Sequence, residues 1–187
     1  MYRKKQTNKI LIISEIFTSP KIRTLNKLLF LCFLISFNLF SQGDLQSLLK
    51  KYNTESVPYI YTDSLQKISK DIILLDGREK KEYKVSHLKG AKFVGYEKFN
   101  LKKTIKSLPN KEACIVVYCS LGVRSEDIAE KLKEAGYTNV FNLYGGIFEW
   151  KNNENKVVNQ KGIETQKVHA FSKEWGVWLT KGIKVYE

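Results

Sequence analysis

Apolar and polar residues form an alternating series of short segments between residues 57 and 150. Continuous apolar runs, which are typical of buried strands, predict strands at residues 57–61, 72–76, 91–95, 114–118 and 140–143. The segments between them have helical spacing and predict helices at residues 62–68, 79–85, 99–108 and 125–135, followed by one from Gly145 to Trp150. Strands that alternate with helices predict an α/β fold, in which a parallel sheet has helices on both faces.

Local signals refine the position of single elements within this pattern. Pro58 has no N–H to donate to a neighbouring strand, so the first strand is predicted at an edge of the sheet. The run at residues 72–76 has no polar interruption before Asp76 and predicts an interior strand. Ser125 is predicted as the N-cap of the helix that follows it, and Gly136 as the residue that ends that helix.

Segments on either side of this pattern have a different character. Residues 42–57 are predicted to form a lead-in helix, residues 58–151 the α/β domain, and residues 152–187 a C-terminal extension that packs on the domain. Residues 152–162 are rich in Asn and Lys and are typical of a loop. In the rest of the extension, helical spacing predicts an amphipathic helix closed by Gly182, with an apolar stripe formed by Phe171, Trp175, Trp178 and Leu179.

The N-terminal region contains an almost uninterrupted apolar run at residues 28–40, preceded by basic residues and followed by Ser41. This run is shorter than the about 20 residues that a membrane span requires. A basic flank and a short apolar core fit a secretory signal. We therefore predict that residues 1–41 are a signal peptide or membrane-targeting segment and that the protein is exported to the periplasm or another extracytoplasmic space. The alternative is a membrane anchor at residues 28–40.

Composition and charge narrow the classes of function. The content of 43% hydrophobic and 27% charged residues is that of a globular protein. Of the net charge of +13, +6 lies in residues 1–41 and the remaining +7 is spread along the chain. No nucleic-acid-binding motif accompanies this charge, so no nucleic-acid partner is predicted. Two histidines without a paired-cysteine motif argue against a metal site. We expect a monomer that uses no cofactor.

Cys119 is the cysteine best placed for chemistry. It follows the apolar strand 114–118 and precedes a short loop, containing Gly122, that leads into a helix. Loop amides and a helix N-terminus both stabilise an anionic sulfur, and a thiolate in such a place is a nucleophile. Cys119 is therefore predicted to be an exposed catalytic thiol. Cys114 lies inside the strand and is predicted to be a core residue, too far along the chain from Cys119 for a disulfide.

Several short motifs resemble those of the rhodanese-like sulfurtransferases, in the order in which that family shows them. They are Leu75-Asp76-Gly77-Arg78, Glu82-Tyr83, His87-Leu88-Lys89-Gly90-Ala91, the loop Cys119-Ser120-Leu121-Gly122-Val123-Arg124-Ser125, and Gly145-Gly146 with Trp150. The resemblance implies a sheet of about five parallel strands. It also implies a cysteine that takes sulfane sulfur from thiosulfate as a persulfide and passes it to a thiophilic acceptor such as cyanide.

The resemblance also implies roles for the residues of the loop. Cys119 is the catalytic nucleophile, which attacks the outer sulfur of a small anionic donor and expels sulfite. The substrate-binding residues are Ser120, Leu121, Gly122, Val123 and Arg124. Their amides would stabilise the anionic sulfur, Gly122 would permit a tight curl, and Arg124 would attract the donor.

Asp76, Arg78 and Ser125 are expected to support this loop. Asp76 is expected to bond loop amides or to pair with Arg78, and the alternative is a role as a general base. Arg78 is also expected to pair with Glu82, which lies four residues further on.

Two other functions remain open from the sequence. Cysteine phosphatases and arsenate reductases have five residues between cysteine and arginine, whereas four separate Cys119 from Arg124. The shorter loop should form a smaller pocket, better suited to sulfur than to a phosphoryl group. The second alternative is a rhodanese-like module that binds a partner or senses redox state, although the intact cysteine loop favours catalysis.

Overall fold

The computed structural model describes residues 45–68 and 71–186. The predicted signal peptide and the alternative anchor at residues 28–40 lie outside the described residues. The chain divides into two compact units, residues 1–48 and residues 49–187, and the second unit contains the sheet. Among the described residues, no helix combines the length and the apolar character needed to cross a membrane.

Five parallel strands form the central sheet. They are β1 (Tyr59–Ile60), β2 (Ile72–Asp76), β3 (Lys92–Phe93), β4 (Cys114–Tyr118) and β5 (Val140–Leu143). Their spatial order is β1-β5-β4-β2-β3, and every neighbouring pair is parallel. The predicted α/β fold with about five parallel strands is confirmed. So are the edge position of β1 and the interior position of β2.

Helices occupy the connections between the strands. They are α1 (residues 45–52), α2 (Thr62–Lys67), α3 (Lys80–Val85), α4 (Leu101–Ile105), α5 (Arg124–Glu134) and α6 (Gly146–Asn152). The lead-in helix predicted at residues 42–57 is wrong at its C-terminal end, because the helix stops at residue 52. After the helix, the Asn53 side chain donates through Nδ2 to the hydroxyl of Tyr59 at 2.8 Å, and Pro58 disfavours helical geometry in the residue before it.

Strand β4 lies in the middle of the sheet and is buried on both faces. Successive side chains of a strand point to opposite faces. Ile115 and Val117 join the same hydrophobic cluster as Ile128 and Leu132 of α5. Tyr118 points to the other face, where its hydroxyl accepts a hydrogen bond from the Leu88 amide at 3.1 Å. This burial explains the uninterrupted apolar run in the sequence, and it fixes the strand end from which Cys119 emerges.

Helix α5 begins one residue earlier than the sequence predicts. Its N-cap is Val123, so the prediction of Ser125 as N-cap is wrong. The Ser125 hydroxyl instead lies 2.7 Å from Oδ1 of Asn142, because the first turn of α5 faces the end of β5. The predicted C-terminal end is confirmed: Gly136 has φ +88°, and Tyr137 donates to the carbonyl of Leu132 at 3.1 Å, as in a Schellman motif.

The C-terminal extension forms small sheets. Its elements are β6 (Val157–Val158), β7 (Glu164–Thr165), β8 (Lys167–His169), α7 (Lys173–Gly176) and β9 (Ile183–Val185). Strands β6 and β7 pair antiparallel, and β8 and β9 pair parallel. The loop predicted at residues 152–162 therefore contains a strand.

The amphipathic helix predicted in the extension is wrong outside the four residues of α7. Phe171 has φ +65°, which a right-handed helix does not accommodate. The chain must also turn after α7 so that β9 can lie beside β8. Of the apolar residues that suggested helical spacing, Leu179 is fully buried by this turn, whereas Phe171 is 45% exposed.

Several contacts join the extension to the α/β domain. His87 and Val158 exchange two backbone hydrogen bonds of 2.8 and 2.9 Å. Helix α3 contacts β8. The Asn152 side chain, at the end of α6, donates to the carbonyl of Trp178 at 2.9 Å and accepts from the amide of Thr180 at 2.8 Å. These contacts place the extension next to α3, which carries Glu82.

Candidate active site

The cysteine loop lies at the carboxyl ends of the central strands. Cys119 directly follows β4, and Asp76 ends the neighbouring strand β2, where it stands in register with Tyr118. Ligand sites of parallel α/β sheets lie at this edge. Cys119 is only 2% exposed, so the expectation of an exposed thiol is wrong. The loop curls over the sulfur and covers it.

A backbone amide and a hydroxyl of the loop lie close to the sulfur. The Gly122 amide donates to Sγ of Cys119 at 3.1 Å, and Oγ of Ser125 lies 3.5 Å from the same atom. Within the part of the chain that the structure describes, Gly122 supplies the one backbone amide that donates a hydrogen bond to this sulfur. The curl requires a φ of +112° at Gly122, which a residue with a side chain rarely adopts. This amide is aligned to stabilise negative charge on the sulfur.

Two asparagines hold Gly122 from its other side. The side-chain amides of Asn142 and Asn53 donate to the Gly122 carbonyl at 2.7 and 3.0 Å. Asn142 is fully buried at the end of β5. The sequence reasoning missed both residues. The available signal was a polar side chain within the apolar run at residues 140–143, because a buried amide requires partners.

Arg124 is paired with Glu82 of α3. Its two Nη atoms each lie 2.8 Å from a carboxylate oxygen of Glu82, and Nη2 also lies 3.0 Å from Oγ of Ser120. Burial raises the pKa of Glu82. The hydrogen bonds and charge of Arg124, together with the charge of Arg78 and a hydrogen bond from the Glu79 amide, outweigh burial and hold that pKa below its ordinary value. The expected pairing of Glu82 with Arg78 is wrong, because α3 directs Glu82 toward the loop.

Asp76 and Arg78 form a second ion pair, in which neither side chain is exposed to solvent. Arg78 donates through Nε and Nη2 to the two carboxylate oxygens of Asp76 at 3.0 and 2.7 Å, and Nη2 also reaches the Ser86 carbonyl at 2.6 Å. The backbone amide of Arg78 adds a third bond to Asp76 at 3.0 Å. These contacts brace the chain after β2, at the sheet edge where the loop lies.

The remaining loop residues anchor it to the core and to the next helix. Leu121 is 2% exposed, so its side chain serves packing. Val123 is half-buried and is the N-cap of α5. The carbonyls of Cys119 and Ser120 accept hydrogen bonds of 2.9 and 3.1 Å from the first amides of α6. The loop is thus tied to β5, α3 and α6 as well as to its own strand and helix.

Family comparisons agree with this geometry. Residues 61–153 match the model of the family described as "Rhodanese-like domain". A protein of Coxiella burnetii named thiosulfate sulfurtransferase GlpE is 30% identical over 82 residues, which cover 44% of this chain and 74% of that protein. The chain belongs to the rhodanese-like family.

Longer proteins are similar to this chain over part of their length. A tRNA uridine(34) hydroxylase of Aster yellows witches'-broom phytoplasma is 34% identical over 98 residues, which cover 50% of this chain and 30% of that protein. The crystal structure of a thiosulfate sulfurtransferase from Pseudomonas aeruginosa aligns with a TM-score of 0.53 at 17% identity, covering 74% of this chain and 26% of that one. The chain spans less than a third of either protein, and the structural likeness shows the rhodanese-like fold.

Proposed function

We propose that the protein is a sulfurtransferase that carries sulfane sulfur as a persulfide on Cys119. Thiosulfate, or a similar anionic compound, would be the donor, and a thiophilic molecule such as cyanide would be the acceptor. The observation that carries this proposal is the amide of Gly122, which lies 3.1 Å from the Cys119 sulfur and is held from behind by two asparagines. Such a preorganised donor stabilises charge on sulfur without reorganisation during the reaction.

The first half of the reaction is a displacement at sulfur. The Cys119 thiolate attacks the outer sulfur of thiosulfate, the S–S bond of the donor breaks, and its electron pair leaves with sulfite. In the second half, the acceptor attacks the outer sulfur of the persulfide, the S–S bond breaks, and the Cys119 thiolate is restored as the leaving group. When the acceptor is cyanide, the product is thiocyanate. Each half conserves charge and requires no oxidant, in accordance with the exchange chemistry of thiolates.

The Arg124 geometry favours this reaction over phosphoryl transfer. A phosphatase of this type needs a guanidinium that can fork onto the phosphoryl oxygens. In this structure both Nη atoms of Arg124 are directed to Glu82. With one residue fewer between Cys119 and Arg124 than in those enzymes, the loop is better suited to a single sulfur atom.

Persulfide formation is measurable by intact-mass spectrometry. The wild-type protein incubated with thiosulfate should gain the mass of one sulfur atom, and cyanide should remove it and release thiocyanate. Cys119→Ser should show no adduct. Cys114→Ser is the matched control, since Cys114 lies at the start of β4 rather than in the loop, and it should react like the wild type.

Two outcomes would contradict the proposed function. The first is a wild-type protein that takes up no sulfur from thiosulfate or from an organic donor, and the second is an adduct that persists in Cys119→Ser. Hydrolysis of a phosphate ester that depends on Cys119 would instead support the phosphatase alternative.

A further inference from the structure

The C-terminal extension supplies an aromatic side chain to the rim of the sulfur site. The ring centroid of Phe171 lies 4.8 Å from Cζ of Arg124, within the range of a cation–π contact. Phe171 is 45% exposed, so the ring covers part of the guanidinium and also presents surface to solvent. Residue 171 lies beyond residue 153, where the match to the family ends. The ring is therefore an addition to the family domain.

The position of this ring is set by the fold of the extension. Phe171 has φ +65°, a conformation that bulky residues rarely adopt. Its amide donates to Nδ1 of His169 at 3.1 Å, and the adjacent Ala170 amide donates to the Val185 carbonyl of β9 at 2.7 Å. His169 is itself fully buried. The surroundings thus hold an otherwise unfavourable backbone conformation and direct the side chain to Arg124.

His169 accepts the Phe171 amide in its neutral form. Because Nδ1 is the acceptor, the neutral ring carries its proton on Nε2, an atom without a hydrogen-bond partner among the residues described. Burial is the largest effect on the pKa of His169 and lowers it. The charge of Glu82 raises this pKa by a smaller amount. The positive charges nearby lower it further; they belong to Lys81, Arg78 and Arg124. At neutral pH Nδ1 of His169 therefore stays unprotonated and can accept the hydrogen bond from the Phe171 amide.

The charges around the loop give an inorganic anion little to bind. Glu82 neutralises Arg124 through a two-point contact, and Asp76 neutralises Arg78. The face of an aromatic ring carries partial negative charge, which repels anions but favours contact with aryl and apolar groups. A substrate that approaches Arg124 from the side of the extension meets this ring first.

We propose that Phe171, positioned by His169, is a specificity-determining residue that favours sulfur donors with an aryl or apolar group over inorganic thiosulfate. The proposal rests on the persulfide chemistry of Cys119. With an arylthiosulfonate, the thiolate attacks the outer sulfur, the S–S bond breaks and its electron pair leaves with the arylsulfinate. The sulfur stays on Cys119 as a persulfide, and no oxidant or reductant is consumed.

Steady-state kinetics with two donors test this selection. Benzenethiosulfonate and thiosulfate are compared with cyanide as the acceptor, in the wild type and in Phe171→Ala. Loss of one aromatic contact should lower kcat/KM for benzenethiosulfonate about fivefold to tenfold, and should change the value for thiosulfate less than about twofold. Val177→Ala removes another exposed apolar side chain of the extension and should leave both values unchanged. Equal losses for both donors, or no loss for either, would overturn the proposal.

The positioning role of His169 has a conservative variant as its test. His169→Asn keeps an acceptor near the position of Nδ1, whereas His169→Leu removes it. The quantity to compare is kcat/KM for benzenethiosulfonate divided by kcat/KM for thiosulfate. In His169→Asn this ratio should remain near the wild-type value. In His169→Leu it should fall to the value of Phe171→Ala. A folded His169→Leu protein, as judged by thermal unfolding, that keeps the wild-type ratio would refute this role.

Alkylation of Cys119 separates this proposal from the proposed function. Iodoacetamide and N-phenyl iodoacetamide differ by one aryl group, and the rate of modification at Cys119 is read from its peptide by mass spectrometry. The wild type should prefer the phenyl reagent, relative to free cysteine, and Phe171→Ala should lose that preference. This result would support the role of Phe171 even if no donor formed a persulfide. The same preference in both proteins would contradict it.

Discussion

At the scale of single residues, the role of Arg124 depends on its partner. A lone arginine after a reactive cysteine is a cation for an anionic substrate. Here both carboxylate oxygens of Glu82 accept hydrogen bonds from Arg124. The two side chains therefore form a fixed, partly buried ion pair that connects α3 to the loop. Arg124 is thus held in place by Glu82 and is not an open receptor for an anion.

Glu82 makes the stability of the protein depend on pH in the acid range. Its folded-state pKa lies below the ordinary value, so its contribution is complete above the unfolded value of about 4.3 and is lost as the pH falls through the folded value. The free energy of unfolding of the wild type, measured by urea denaturation, should therefore decrease below about pH 5. The decrease should be shallower in Glu82→Gln.

Glu164→Gln is the control for this measurement. Glu164 pairs with Lys156 on the surface, where an ion pair contributes about 0–1 kcal/mol. This variant should follow the wild-type dependence on pH. Parallel curves for the wild type and Glu82→Gln would show that the ion pair with Arg124 does not contribute to acid stability.

At the scale of elements, α6 supports the loop through its first turn. The amides of Ile147 and Phe148 donate to the carbonyls of Cys119 and Ser120. This approach needs a residue without Cβ at Gly146, because a Cβ there would overlap the Cys119 carbonyl oxygen and lie 2.7 Å from the Ser120 carbonyl carbon. Both groups belong to the loop backbone, so any relief must move the loop.

Two glycine variants separate this close approach from backbone conformation alone. Gly146 and Gly136 both have positive φ, +54° and +88°, but a Cβ on Gly136 would have no atom within 4 Å. Gly136→Ala should lower the free energy of unfolding by about 1 kcal/mol and leave kcat/KM unchanged. Gly146→Ala should lower the free energy of unfolding by about 1–3 kcal/mol more than Gly136→Ala does.

Gly146→Ala should also lower kcat/KM for sulfur transfer at least about tenfold, because a shift of about 1 Å at a reacting centre has effects of this size or larger. Urea unfolding and donor kinetics provide both quantities. Equal activity in the two variants would show that the contact with α6 does not position the loop.

At the scale of the whole molecule, the extension and the family domain form connected parts of the second unit. Asn152 joins them with three hydrogen bonds: Nδ2 donates to Trp178, and Oδ1 accepts from Thr180 and Lys181 at 2.8 and 3.2 Å. Each such bond contributes about 0.5–1.5 kcal/mol. The segment that carries Phe171 is therefore held at both ends, by β8 and by the contacts of Asn152.

Asn152→Ala should loosen this segment. We expect a loss of about 1–3 kcal/mol in the free energy of unfolding and faster proteolytic cleavage after residue 170, measured by limited proteolysis and mass spectrometry. Asn153→Ala is the matched control, since its side chain bonds Glu149 of its own helix and Thr62, and it should leave the cleavage rate unchanged. Identical cleavage in the two variants would argue against Asn152 as the anchor.

The parts of the structure that were predicted correctly depend on local patterns. The alternation of strands and helices, the edge strand with Pro58, the end of α5 at Gly136 and the place of Cys119 after β4 each follow from residues close together in the chain. The errors occurred where a distant element determined the outcome. The helical spacing in residues 171–179 was overridden by the pairing of β8 with β9, and Ser125 was used by Asn142 instead of capping its helix.

The sequence by itself determined the α/β order of elements and the cysteine loop at a strand end, because hydrophobic periodicity and turn chemistry act over a few residues. Only the tertiary structure decided the partners inside the site. Glu82 and Arg124 are 42 residues apart, and Asn142 and Gly122 are 20 apart. Such pairs leave no periodic signal, since their meeting depends on how the sheet orders its strands and how the extension folds back toward Arg124.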